Sequence, residues 1–210
     1  LVGRRRLRPG DSGFNFYRFF TAVLTTLGCG VVIVLGMGFV SGASGWSNAR
    51  PLGSLSVQNP RVVVLKSKRV LHLFDGNRLV RTYPVDLGVA AVGQKFRAGD
   101  GRTPEGNFRI VTKNASSPYH RFLGINYPGE ESIKWGLQQG LISGGQAVSL
   151  LQAIAADQRP DWDTPLGGGI GIHGHREGMD WTAGCIALSD EHVEELFQVL
   201  RIGDPIEILP

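Results

Sequence analysis

The densest grouping of reactive side chains in this 210-residue chain is GIHGHREGMDWTAGCIALSD, which carries His173, His175, Asp180, Thr182 and Cys185. A thiol becomes a nucleophile as its thiolate, and an imidazole within hydrogen-bond reach supplies that state by accepting the proton. Gly184, directly before Cys185, lets backbone N–H groups turn toward one point, as stabilising an oxyanion requires. The residues alone leave two other readings open. Cys185 is one of two cysteines, the other being Cys29, and an unpaired cysteine is often a small buried hydrophobe. His173 and His175, with Asp180 and Cys185, also offer metal-ligand atoms, although their spacing matches no common zinc pattern and a second thiolate is missing. His72, His120 and His192 are isolated and read as structural, in a strand, a loop and the first turn of a helix.

The elements that must position this group are mainly β. RVVVLK, RVLHLF and RLVRTYPVDLG are short β-branched or alternating runs, and Asp75-Gly76-Asn77 makes a turn between the second and third. GDGRTPEG follows as a loop punctuated by Gly and Pro, running into a further strand, NFRIVTK. Residues 130–157 break the pattern. Ile133, Leu137 and Leu141, then Val148, Leu151 and Ile154, recur at helical spacing and predict two short helices divided near Ser143-Gly144-Gly145. This insert reads either as a lid over the site or as a piece of scaffold. GGGIGIHGH predicts a strand entered through glycines. Ser189 predicts an N-cap, with Asp190 and Glu191 complementing the dipole of a last helix. That helix buries Val193, Leu196, Phe197 and Leu200 and stops at Gly203, and DPIEIL closes as a strand. Glycine supplies 30 of the 210 residues, roughly twice ordinary usage, which suits turns and close backbone approaches rather than a helical bundle. The expectation is one mainly β domain over residues 60–210 with inserted helices. Tyr127-Pro128 and Trp181 are candidates to line its cleft, with core packing the favoured alternative for each.

Charge explains what precedes that domain. Residues 1–18 hold five arginines against Asp11, which accounts for the whole formal net charge of +4. The rest of the chain is neutral overall, so a nucleic-acid partner is not expected. No charged residue lies between Arg18 and Arg50, and the 22 residues 19–40 are apolar or small. A helix of that length spans about 33 Å, enough for a hydrocarbon core of about 30 Å. The segment 19–41 is therefore expected to be a single transmembrane anchor, longer than the apolar region of a cleaved signal peptide, which is the rival reading and would make the protein secreted. Arginines on the cytoplasmic side would place residues 42–59, a Ser/Gly/Asn-rich linker, and the domain beyond it on the far side of the membrane.

GDGRTPEG, followed about seventy residues later by Ile-His-Gly and then by Thr-x-Gly-Cys-Ile, resembles the YkuD-type L,D-transpeptidase family of bacterial peptidoglycan enzymes. The resemblance covers residues 60–210 and implies a β-sandwich catalytic domain held in the periplasm by an inner-membrane anchor. It implies Cys185 as nucleophile and His173 as its base. Gly174 would orient the histidine, Thr182 stands in the family's Ser/Thr place, and the turn Ala183-Gly184-Cys185 would hold the oxyanion. The implied substrate is a tetrapeptide stem, cleaved at its diaminopimelate-type carbonyl and passed to a neighbouring stem or an outer-membrane lipoprotein lysine, without a cofactor. Passing it to water would make the same site a carboxypeptidase or an amidase releasing lipoprotein. A non-catalytic wall-binding module is the alternative of another class. Three departures mark a divergent branch of murein transpeptidase relatives. Ala183 replaces the family's His, Ala187 replaces an Arg or Asn, and the twelve-residue spacing from His173 to Cys185 is short. The first two leave the substrate carboxylate without a family partner, for which His175 and Arg176 are the candidate replacements, with Trp181 and Tyr127 as further substrate contacts.

Overall fold

A computed structural model describes residues 55–210. Strand alternation builds its first layer. β1 (Pro60–Leu65) and β2 (Val70–Asp75) pair antiparallel, with Val62 opposite Leu73 and Val64 opposite Leu71. These four side chains share one face and are fully buried. The turn at Gly76 leads into β3 (Arg78–Pro84), an edge strand whose Arg78 and Arg81 face outward.

The third strand pair explains the architecture. β4 (Gly106–Ser117) spans twelve residues, more than one partner occupies. Its first four residues pair with β8 (Pro205–Leu209), and from Ile110 onward it pairs with β5 (His120–Ile125), the register shifting between Ile110 and Thr112. A strand that changes partners at such an irregularity turns a corner in the sheet. With β6 (Gly171–His173) and β7 (Ile186–Ala187), the order is β3-β2-β1-β8-β4-β5-β6-β7. The expected two-sheet sandwich is thus one continuous, curled, mixed sheet with β4 shared between its halves. Both halves contribute to a single core, where Val64, Leu71 and Ile208 join Leu123, Ile172 and Ile186. Strand β5 was not expected from the sequence, and His120, read as a loop residue, begins it at φ 68° and pairs with Glu194 at 3.2 Å.

The two helices of the insert form as expected, α1 (Glu130–Gln138) and α2 (Gly144–Ala155), the second closed by a reciprocal Ser143–Gln146 capping box. They bury a satellite cluster of Ile133, Ile142, Ala147, Leu150 and Leu166. The inward stripe of α2 is Ala147, Leu150 and Ile154, whereas Val148 and Leu151 are exposed. Helix α3 (Asp190–Val199) starts at Ser189, whose Oγ accepts from the His192 N–H, and buries Val193 and Leu196. It ends at Val199, short of Gly203. Lys113 Nζ donates to the Phe197 and Leu200 carbonyls at 2.5 and 2.7 Å, satisfying groups that a helix terminus leaves unpaired. No helix among the described residues is long and apolar enough to cross a membrane. The expected basic tip, anchor and most of the linker lie outside the described residues.

Replacing Lys113 by Met keeps a side chain of similar length but removes both hydrogen bonds and the ammonium that lies 4.3 Å from the centre of the Phe197 ring. The expected loss is about 1–3 kcal/mol of unfolding free energy, read from the urea midpoint at unchanged slope.

Candidate active site

Strands β6 and β7 run parallel, with Ile172 beside Ile186 and His173 beside Ala187. Extending that register by one residue sets Cys185 beside Gly171. On that extended register Cys185 falls on the face of His173, one strand over and two residues along.

His173 is 3% exposed, and its Nδ1 lies 2.7 Å from the Gly174 carbonyl oxygen. An Nδ1–H donated there leaves the Nε2 lone pair free to accept a proton. Burial lowers the His173 pKa below its ordinary 6.5, and the neighbouring His175 adds to the effect while the Gly174 carbonyl opposes it. The ring is walled by Tyr119 at 4.8 Å between centroids and by the edge of Trp181 at 5.6 Å. Trp181 therefore belongs to the site. Tyr119 was missed in the sequence because it sits in the turn between β4 and β5, a hairpin whose second strand was not recognised.

The Cys185 sulfur lies 3.5 Å from the Gly169 carbonyl oxygen. Burial pushes the thiol up to about 11, against smaller opposing effects of the Gly171 N–H and the Lys95 charge. At neutral pH the Cys185 thiol is therefore held in its protonated form. Thr182 Oγ1 donates to the Cys185 carbonyl at 2.8 Å and accepts from the Gly184 N–H at 3.1 Å, tying the turn to itself. That engages the Gly184 amide, which was expected to face an oxyanion. Gly184 has φ 138°, and a Cβ there would fall 2.5 Å from the Arg102 carbonyl oxygen, so the GDGRTPEG loop backs directly onto the nucleophile turn.

Three carboxylates pin the loop that joins His173 to Cys185. Buried Asp86 accepts from the Glu177 and Gly178 N–H groups at 2.7 Å each and from Arg176 Nε at 3.1 Å. Asp180 pairs with Arg69 at 2.6 Å and accepts from the Leu87 N–H at 2.9 Å. Asp190 accepts from the His175 N–H at 2.9 Å and lies 3.7 Å from that residue's Nε2. Arg176 and His175, the candidate partners for a substrate carboxylate, are thus already held by carboxylates of the protein. Asp180 is likewise turned to Arg69, and among the described residues no group of three His, Cys, Asp or Glu side chains is arranged to hold a metal ion. Tyr127 is no cleft residue. It is fully buried, with its hydroxyl donating to the Leu166 carbonyl at 3.2 Å. Its apolar ring suits a core as well as a cleft, so sequence did not separate the two.

The family model for the YkuD L,D-transpeptidase catalytic domain matches residues 59–208, and the chain belongs to that family. Among solved structures, the helical cell shape determining protein Pgp2 from Campylobacter jejuni is similar at 23% identity and TM-score 0.50, over 71% of this chain and 47% of that one. An L,D-transpeptidase from Mycobacterium smegmatis is similar at 14% identity and TM-score 0.43, over 72% of this chain and 59% of that one. The chain therefore spans about half to three-fifths of the length of these solved chains. No curated protein matches.

Replacing Asp86 by Ala leaves the Arg176 guanidinium and two backbone N–H groups without their partner. The expected cost is about 3–5 kcal/mol of stability, measured by denaturant unfolding, and Asp86→Asn should recover part of it.

Proposed function

We propose that the domain is a cysteine-dependent acyltransferase acting on peptidoglycan stem peptides. What supports this reading is the β6–β7 register, which on extension by one residue puts Cys185 on the face of His173, together with the Gly174 carbonyl that engages Nδ1 of the imidazole and leaves Nε2 free. His173 Nε2 takes the thiol proton as sulfur attacks the carbonyl of the third, diaminopimelate-type residue of a tetrapeptide stem. The Cys185 and Ala183 amides stabilise the oxyanion. The C–N bond to the terminal D-Ala breaks, and the proton on Nε2 passes to the departing amine, leaving a thioester. An amine from a neighbouring stem or from a lipoprotein lysine then displaces the sulfur and completes the transfer. Water in that place gives hydrolysis, a difference of acceptor and not of nucleophile. In this reading residues 19–41 anchor the protein in the inner membrane and the domain works in the periplasm.

Mass spectrometry of muropeptides incubated with the purified protein tests the proposal. Expected products are 3→3 crosslinks, stems joined to lipoprotein or, with water as acceptor, tripeptides. Cys185→Ala should reduce the rate at least about a thousand-fold. A carbapenem should add its mass to the wild-type protein and not to Cys185→Ala. No product and no adduct would instead indicate a wall-binding module.

The pH dependence follows from the direction of each shift. His173 accepts a proton only when neutral, and its pKa is lowered, so the acid limb of kcat/KM should lie below pH 6.5. The unassisted thiol, raised to about 11, should alkylate slowly with iodoacetamide at pH 7 and faster up to about that pH.

A further inference from the structure

The cations expected to meet a substrate carboxylate are already paired, and so is the buried lysine that acts on Cys185. Arg176 is held by Asp86, His175 lies against Asp190, and Lys95 donates to Asp100 at 2.7 Å. On the outer side of the GDGRTPEG loop lies an open cavity of about 430 Å³, lined by Gln94, Phe96, Arg97, Asp100, Arg102 and Trp135. Its carboxylate, Asp100, is saturated. Lys95 Nζ and the Arg102 N–H occupy Oδ1, and the Phe96 and Arg97 N–H groups occupy Oδ2. Burial alone would raise the Asp100 pKa, but these donors outweigh it and hold the group ionised.

Neither Arg97 nor Arg102 has a carboxylate partner among the described residues. The Arg102 guanidinium makes one contact, Nη1 to the Gln94 carbonyl at 3.3 Å, which leaves most of its donors free. Phe96 and Trp135 form an apolar wall, their ring centroids 5.0 Å apart. The carbonyl of Arg102 lies against Gly184, so the residue that lines this cavity also touches the Cys185 turn.

We propose that Arg102, seconded by Arg97, is the specificity-determining group that binds a carboxylate of the stem peptide in this cavity. A partly desolvated guanidinium with unused parallel donors recognises a carboxylate bidentately, and the aromatic wall strengthens the pairing by excluding water. The proposal rests on the acyl-transfer reading of Cys185 for the identity of the ligand. Two carboxylates of a tetrapeptide stem offer the same chemistry: that of the terminal D-Ala and that on the side chain of the third residue.

Binding, separated from turnover, tests it. Calorimetry with the Cys185→Ala chain would use a disaccharide-tetrapeptide and two analogues, one amidated at the terminal carboxylate and one at the third residue's side chain. Arg102→Gln should weaken the unmodified peptide about ten-fold or more, Arg102→Lys less, and Arg97→Gln less again. One amidation should cost a similar factor with Arg102 present and nothing in Arg102→Gln, which identifies the carboxylate. Unchanged affinity in an Arg102→Gln protein of unaltered melting temperature would overturn the proposal. So would amide discrimination that survives the substitution, or no binding of the unmodified peptide. Arg102-dependent binding by a Cys185-containing chain that forms no product would overturn the acyl-transfer reading and leave the role of Arg102 standing.

Discussion

The arrangement depends on a place where three stretches of backbone meet with no side chain between them. A Cβ at Gly88 would strike the Gly101 carbonyl and approach the Gly184 Cα, and one at Gly184 would strike the Arg102 carbonyl. The strand leaving β3, the GDGRTPEG loop and the nucleophile turn therefore lock together through peptide groups alone. Asp100 shapes the loop from one side through three backbone N–H groups, and Thr182 shapes the turn from the other. Reacting groups must be placed to within a fraction of an ångström, and rigid backbone contacts achieve this better than flexible side chains do. The register of β6 with β7 then carries that placement across to His173.

Electrostatics at the site follow from what is excluded as much as from what is present. The carboxylates that hold the connecting loop are engaged by Arg69, Arg176 and backbone amides, and none is hydrogen-bonded to His173. A backbone carbonyl orients the imidazole instead. It fixes the tautomer but brings less negative charge than a carboxylate would, so burial prevails and the ring stays neutral.

Local signals made much of this legible in the sequence. The first hairpin, both insert helices, the Ser189 cap and the His173 to Cys185 stretch all rest on periodicity, turn chemistry or residue type within a few positions. What escaped depends on distant partners. Strand β5, HRFLGI, has a charged start and an internal glycine, and its pairing is supplied by β4 and by a β6 only three residues long. The role of Asp86 is invisible without the amides of residues 177 and 178, more than ninety positions away. Arg176 looked available for the same reason, because its partner lies on the far side of the chain. The phase of α2 was misread since Leu150 and Leu151 are equally apolar, and only packing on Leu166 chooses between them.

Holding Cys185 as a protonated thiol has a consequence apart from acyl transfer. Peroxide oxidation to a sulfenic acid and exchange with disulfides both proceed through the thiolate. With the thiol raised to about 11, that form is a small minority at pH 7. If Cys185 is the nucleophile proposed above, the burial that raises its thiol also slows its reaction with such oxidants.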